Sequence, residues 1–315
     1  MTRTAAKPMP RRPLGKTGLL VTPIGLGLAA LGRPAYITGG RAQDLGGDRG
    51  IDTLERRSHA VLTAAWDAGI RYFDVARSYG YAERFLASWL QTRNPSPSQI
   101  TVGSKWGYTY VGDWRIDAPV HELKDHSLAA LDRQVGESRA LLDGFLSLYQ
   151  IHSATLESGV LEDRLVLQRL LELRERGLRI GLSVSGPRQA EVIRRAMAVA
   201  IDGVNPFQSV QATWNPLEPT AATALAEASA AGWGVIVKEA LANGRLASLD
   251  QFAIAAALAQ PWADVVLSGA VTEDQLRSNV EGLSRRLSAG ERAELDAMAE
   301  PPSRYWKERS ERPWQ

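Results

Sequence analysis

Cysteine is absent from the 315 residues. Without thiols there is no disulfide framework, no thiolate nucleophile and no thiolate-bound metal. The absence fits a reducing compartment. Histidine is scarce: the four are His59, His121, His126 and His152. They form no His-x-His and no pair at i, i+4, so no metal site is expected. His121 and His126, five apart, point different ways on a helix and read as solvated surface. Net charge is nearly absent too, with 37 Lys+Arg against 35 Asp+Glu, or +2. No basic block stands out beyond Arg11-Arg12, so a nucleic-acid partner is not expected. Long apolar runs are also missing. The most apolar stretch, 252–271, is broken by Gln260, Pro261 and Asp264, which argues against a membrane span. The opening MTRTAAKPMPRRPLGKTG has no apolar core of a secretory signal, and a cytoplasmic protein is the expectation.

What is present is ordinary globular material, 44% hydrophobic and 23% charged, which excludes a largely disordered chain. Residues 1–10 read as a loose tail. Residues 11–22 read as a hairpin turning at Gly15-Lys16-Thr17-Gly18. Eight short apolar runs follow: 21–27, 70–75, 99–105, 145–152, 178–184, 207–213, 234–239 and 264–270. Each suits a strand buried on both faces. Amphipathic helices are predicted between them over 56–67, 83–91, 122–137, 163–176, 188–199, 219–230 and 274–285. Successive strand ends fall roughly 30 residues apart, the length of one strand–helix unit. Eight such units predict a (β/α)8 TIM barrel over 11–300, with 301–315 as a C-terminal tail. A doubly wound sheet ranks second. Two long connections, 28–52 and 106–120, follow strand ends and should lie over the top face, where barrel enzymes work.

Gly25-Leu-Gly27-Leu-Ala-Ala30 fits a loose dinucleotide fingerprint, with Asp44 and Asp48 some twenty residues on. That fingerprint must open into a helix, and Gly32-Arg33-Pro34 forbids one. The stronger signal is polar residues ending apolar strands. Asp74 ends one, Lys105 the next and His152 the third, with Tyr79 in the loop beyond the first. A buried Asp needs a cation, and Lys105 is placed to supply it. Lys105 near Tyr79 would lower the phenol's pKa from about 10. Tyr79 could then give a proton to an oxygen becoming an alkoxide. A neutral His152 could polarise a carbonyl. No serine or acyl-transfer nucleophile is activated.

These stretches resemble the aldo-keto reductases. LGKTGLLVTPIGLG, YFDVARSYGYAE, GSKW and LYQIH are similar to that family's opening hairpin, Asp-to-Tyr stretch, lysine strand and histidine strand. The resemblance runs from about residue 12 to about 285. It implies a (β/α)8 barrel holding an extended nicotinamide cofactor across its top. Asp74, Tyr79, Lys105 and His152 would be the catalytic tetrad. Gly27 would lie on the cofactor cleft. Ser183 and Gln211 would bind the carboxamide, and Trp214 would stack on the nicotinamide ring. Leu241, Asn243 and Gly244 would hold the pyrophosphate. Gly269, Ala270, Gln275, Arg277 and Asn279 would form the adenosine site. Val184 stands where the family usually has Asn. Val271 stands where Lys or Arg often follows, leaving Arg277 to clamp a 2′-phosphate. NADP(H) is the implied cofactor, with NAD(H) as the alternative. Tyr36, Trp106, Tyr108, Trp114, Trp306 and Trp314 would line an aromatic pocket, with the tail folded over the barrel mouth. The implied partner is a small carbonyl or alcohol substrate. Two other functions stay open: a non-enzymatic cofactor-binding subunit, and a barrel glycoside hydrolase using Glu239.

Overall fold

Strands that are apolar on both faces can be stable only if both faces are covered, and here they are. The computed structural model describes residues 9–315. Its barrel strands are β1 (Ile24–Gly27), β2 (Tyr72–Asp74), β3 (Thr101–Trp106), β4 (Leu146–Ala154), β5 (Arg179–Val184), β6 (Ser209–Thr213), β7 (Gly234–Lys238) and β8 (Val265–Ser268). Each pairs in parallel with its neighbours in chain order, and β8 closes onto β1. The fold is a (β/α)8 barrel.

The first insertion carries α1 (Arg41–Leu45). The outer ring is α2 (Ile51–Asp67), α3 (Ala82–Arg93), α4 (Leu128–Leu142), α5 (Arg164–Glu175), α6 (Gln189–Met197), α7 (Ala222–Ala230), α8 (Asp250–Leu258) and α9 (Glu273–Glu281). Then come α10 (Ala289–Asp296) and α11 (Pro302–Ser310). No helix among the described residues is long and apolar enough to cross a membrane. One expected helix begins late. Residues 122–124 pair antiparallel with 108–110 as a small hairpin on the top face. The helix starts only after Ser127, whose hydroxyl accepts from the Ala130 amide and caps it.

The barrel interior is closed from below by the N-terminal hairpin, Arg12–Pro13 against Leu20–Val21. Leu14 is fully buried, and Lys16 N donates to Gly232 O at 2.7 Å, just before β7 begins. Leu14 joins Tyr72, Leu148, Ile236 and Val265 in one cluster. Tyr72 explains two glycines. A Cβ on Gly25 would lie 2.7 Å from its ring, and one on Gly103 would lie 2.6 Å from its hydroxyl. Gly25 thus makes room for a tyrosine inside the barrel and has no role in a phosphate loop. Most of the expected N-terminal tail, residues 1–8, lies outside the described residues. Met9, which the expected tail included, is buried against Gly69.

Candidate active site

The C-terminal ends of β2, β3 and β4 bring three polar residues to one place, as side-chain alternation along each strand requires. The Lys105 ammonium donates to the Asp74 carboxylate and, at 3.0 Å, to Val75 O. Gln211 Nε2 donates to the other Asp74 oxygen at 2.8 Å, and the Tyr72 hydroxyl adds a 3.3 Å contact. Both members of this pair are essentially excluded from water. The Tyr79 ring centroid lies 5.0 Å from Lys105 Nζ, and the His152 ring meets Tyr79 edge-on at 5.4 Å. His152 Nδ1 sits 3.3 Å from Ser78 Oγ. The pairing register of β4 shifts between Ile151 and Ala154, and Ser153 there is left-handed with φ 51°. Such a bulge re-aims side chains at a strand end.

The electrostatics differ from expectation at one point. Burial and the Asp74 charge push the Tyr79 phenol well above its usual pKa, against a smaller lowering by Arg33. Lys105 does not reverse this, because its charge is matched by Asp74. Tyr79 therefore stays a protonated phenol. Burial, then the charges of Lys105, Lys238 and Arg33, hold His152 well below its usual value. It is a neutral imidazole, able to donate from one ring nitrogen.

A cleft of about 590 Å³ runs from this cluster across the barrel mouth, within the range of about 300–1,000 Å³ usual for small-molecule sites. Gly27, Ser183, Gln211, Leu241, Asn243, Gly244, Gly269, Ala270, Gln275 and Asn279 all line it, together with Tyr36 and Tyr108. The cleft has features that fit an extended dinucleotide. Asn243 is nearly buried, and its Oδ1 has no partner. A Cβ on Gly269 would meet nothing, so this wall is open to a ligand. Ser183, Ser185, Ser153 and Lys238 form a polar patch beside Gln211. Lys238 Nζ donates to Ser185 Oγ at 2.9 Å, and Ser153 N to Ser183 Oγ at 2.8 Å. Val184 is buried in the core, and this patch supplies the polar groups near it.

Several expected site residues are elsewhere. Trp214 is an odd number of residues past Gln211 and falls on the opposite face. It packs edge-on to Trp262 in the core at 5.9 Å. Trp106 follows Lys105 and for the same reason is fully buried behind the strand. Trp114 stacks on Tyr81 at 4.8 Å and donates to Arg49 O, beside a separate shallow groove. Trp306, on α11, packs with Tyr305 and Leu217. Arg277 is 66% exposed and pairs with Asp274 on the outside of α9. His121 is buried rather than solvated, and its ring stacks on Trp314 at 4.1 Å. His126 Nε2–H donates to His152 O at 2.9 Å, and burial lowers the His126 pKa to about 4.

Arg33, Lys238 and Arg309 also line the cleft, and no motif in the sequence marked them. Arg33 Nη1 reaches Glu122 at 2.6 Å, while the guanidinium lies over the rings of Tyr36, Tyr79 and Trp314. Arg309 on α11 grips Glu239 through two nitrogens, at 2.5 Å and 3.0 Å. Burial raises the Glu239 carboxyl, but Arg309 and Lys238 outweigh it and hold the pKa at about 2. Burial likewise brings Lys238 down to about 8. The tail closes the mouth: Trp314 lines the cleft, and Gln315 pairs with Tyr36 through two backbone hydrogen bonds of 3.0 Å. A tail over the mouth with Trp306 and Trp314 in the pocket was expected; Trp314 lines the cleft, Trp306 does not, and Arg309 lines it as well.

Residues 23–251 match the profile of the aldo/keto reductase family, and the chain belongs to that family. It is 23% identical to an uncharacterized oxidoreductase, YqkF, of Bacillus subtilis, over 88% of this chain and 92% of that protein. A segment covering 31% of the chain is 38% identical to pyridoxal 4-dehydrogenase of Microbacterium luteolum. That segment spans 24% of the Microbacterium enzyme. Among solved structures, the holo form of an aldo-keto reductase from Bacillus halodurans superposes with a TM-score of 0.68. It covers 93% of this chain and 97% of its own, at 20% identity, and so is similar in fold. The family's members are oxidoreductases that use nicotinamide cofactors.

Proposed function

We propose that this chain catalyses reversible reduction of an aldehyde, ketone or sugar carbonyl, with Tyr79 as the proton donor and acceptor. The observation that carries the reading is the convergence of the Tyr79 phenol, the Lys105–Asp74 pair and neutral His152 on one end of the cleft. A nicotinamide cofactor, which Ser183, Gln211, Asn243 and Gly244 would hold along the cleft, would supply hydride for the carbonyl carbon. Tyr79 Oη gives its proton to the carbonyl oxygen, so the alkoxide leaves as an alcohol. His152 orients and polarises that oxygen from a neutral ring, which costs no charge in a buried site. Lys105 and Asp74 are positioning groups: their mutual charge keeps the floor polar without a net ion. Ser183, Gln211 and the lysine-bearing patch orient the carboxamide. The Microbacterium relative is named for a dehydrogenase acting on pyridoxal, an aldehyde, which supports a carbonyl substrate here.

The hydrolase alternative finds no support. Glu239 is locked to Arg309 at a pKa of about 2, so it holds no proton to give a leaving group. Tyr79→Phe is the test. Turnover should fall about 10³-fold, the middle of the range for general acid catalysis, while cofactor affinity stays within twofold. Near-normal carbonyl reduction by this variant would remove Tyr79 from the acid's role.

A further inference from the structure

The far end of the cleft has a charge that the tetrad end does not explain. Asp44, on α1 of the first insertion, lines it, together with Gln275, Asn279 and Asp250. Gln275 is held at both ends of its amide. Its Oε1 accepts from Val271 N at 3.0 Å, and its Nε2 donates to Asp44 Oδ2 at 2.7 Å. Asn279 is held in the same way, accepting from Ser268 Oγ at 2.7 Å and donating to Asp250 Oδ2 at 3.1 Å. Two carboxylates and two fixed amides thus face this end. None of the described side chains there is cationic. Arg277, the one basic residue the sequence offered, faces outward to Asp274.

The basic residues that do line the cleft are engaged. Arg33 pairs with Glu122 and Arg309 with Glu239. Lys238 bonds Ser185. Arg41 is buried and donates to the carbonyls of Ala30, Pro34 and Gln315. None is free to meet a phosphate at the α9 end. Gly269, which precedes α9 on this wall, has no side chain to offer either.

We propose that Asp44, fixed by Gln275, makes this chain select NAD(H) over NADP(H). The inference rests on the nicotinamide reading above and deepens it. A 2′-phosphate carries ≈ −1.5 to −2 charges at neutral pH. Placed against Asp44 with no arginine or lysine to neutralise it, it is repelled. A ribose 2′-hydroxyl instead donates to the Asp44 carboxylate. An acid on the ribose hydroxyl is how dinucleotide sites in other folds choose NAD. Here it arrives from an insertion above a barrel, some twenty residues beyond glycines that make no fingerprint.

The experiment is a titration of tryptophan fluorescence with NADH and with NADPH, reading dissociation constants rather than turnover. In the wild-type protein NADH should bind at least 10-fold more tightly. In Asp44→Ala the preference should shrink at least 10-fold, mostly through tighter NADPH. Asp44→Asn, which keeps the size of the side chain, should shift the same way and guards against a folding defect in the first variant. Arg277→Ala should leave both affinities unchanged. Equal or tighter NADPH binding by wild type would overturn the proposal. So would an unchanged ratio in both Asp44 variants, or a selective loss of NADPH in Arg277→Ala. Binding of neither cofactor would defeat the nicotinamide reading itself, a distinct result.

Discussion

Asp74 and Lys105 form an ion pair at the floor of the cleft, and Tyr79 and His152 lie beside it. Tyr79 is pushed up by burial and by Asp74, and His152 is pushed down by burial and nearby cations. Neither changes its proton around neutral pH. Reduction needs the phenol protonated and should be insensitive to both groups in that window. Alcohol oxidation needs the phenolate and should rise with pH throughout it. Rate profiles in the two directions, taken with saturating substrates, check this. Lys238 is different, with a pKa near 8. Above that pH it loses the charge that favours an anionic cofactor, so cofactor dissociation constants should increase through pH 8. Lys238→Met should flatten that step. At this scale the clustering of Asp74, Tyr79, Lys105 and His152 was legible because an ionisable residue ending a buried apolar strand needs a reason. The tryptophans were legible only in part: Trp314 lines the cleft as expected, but Trp106 and Trp214 do not. Trp106 and Trp214 sit in the right segments, but strand alternation turns both away from the cleft.

The strand–helix alternation was legible from periodicity alone, since a doubly buried strand and an amphipathic helix have different apolar spacing. The 122–137 segment shows where that fails. Its first residues pair across to 108–110, a contact that local spacing does not encode. Glu83 shows how the elements are joined. It lies on α3 and is nearly buried, and its carboxylate accepts from Ser104 Oγ of β3 at 2.6 Å and Ser138 Oγ of α4 at 2.7 Å. Arg77 supplies the countercharge at 2.5 Å. Removing one partner of a buried ion pair costs about 3–5 kcal/mol. Arg77 is partly exposed and keeps Glu137, so Glu83→Ala should sit at the low end, about 3 kcal/mol. Chemical denaturation measures it, and a loss under 1 kcal/mol would mean the two serines hold these elements without the acid.

Across the whole molecule, stability and chemistry lie at opposite ends of the barrel. The hairpin seals the bottom through Leu14, while the first insertion, the second hairpin and the tail meet over the top. Leu14→Ala should therefore lower stability by about 2–5 kcal/mol, as buried leucine truncations do. At a temperature where the variant is folded, its kcat/KM should match wild type. A large fall in kcat/KM with unchanged stability would show that the bottom plug is coupled to the cleft.

The amino-acid order by itself determined the repeating units, the barrel they close into and the four polar residues at its mouth. Those follow from spacing and from the cost of burying an unpaired polar group, which act locally along the chain. The tertiary structure decided the rest: which aromatic rings reach the cleft, how Arg309 and Trp314 close it, and how Asp44 comes to lie against Gln275. These pairs are separated by long stretches of chain, 231 residues for Asp44 and Gln275. Only closing the barrel brings them within hydrogen-bonding distance.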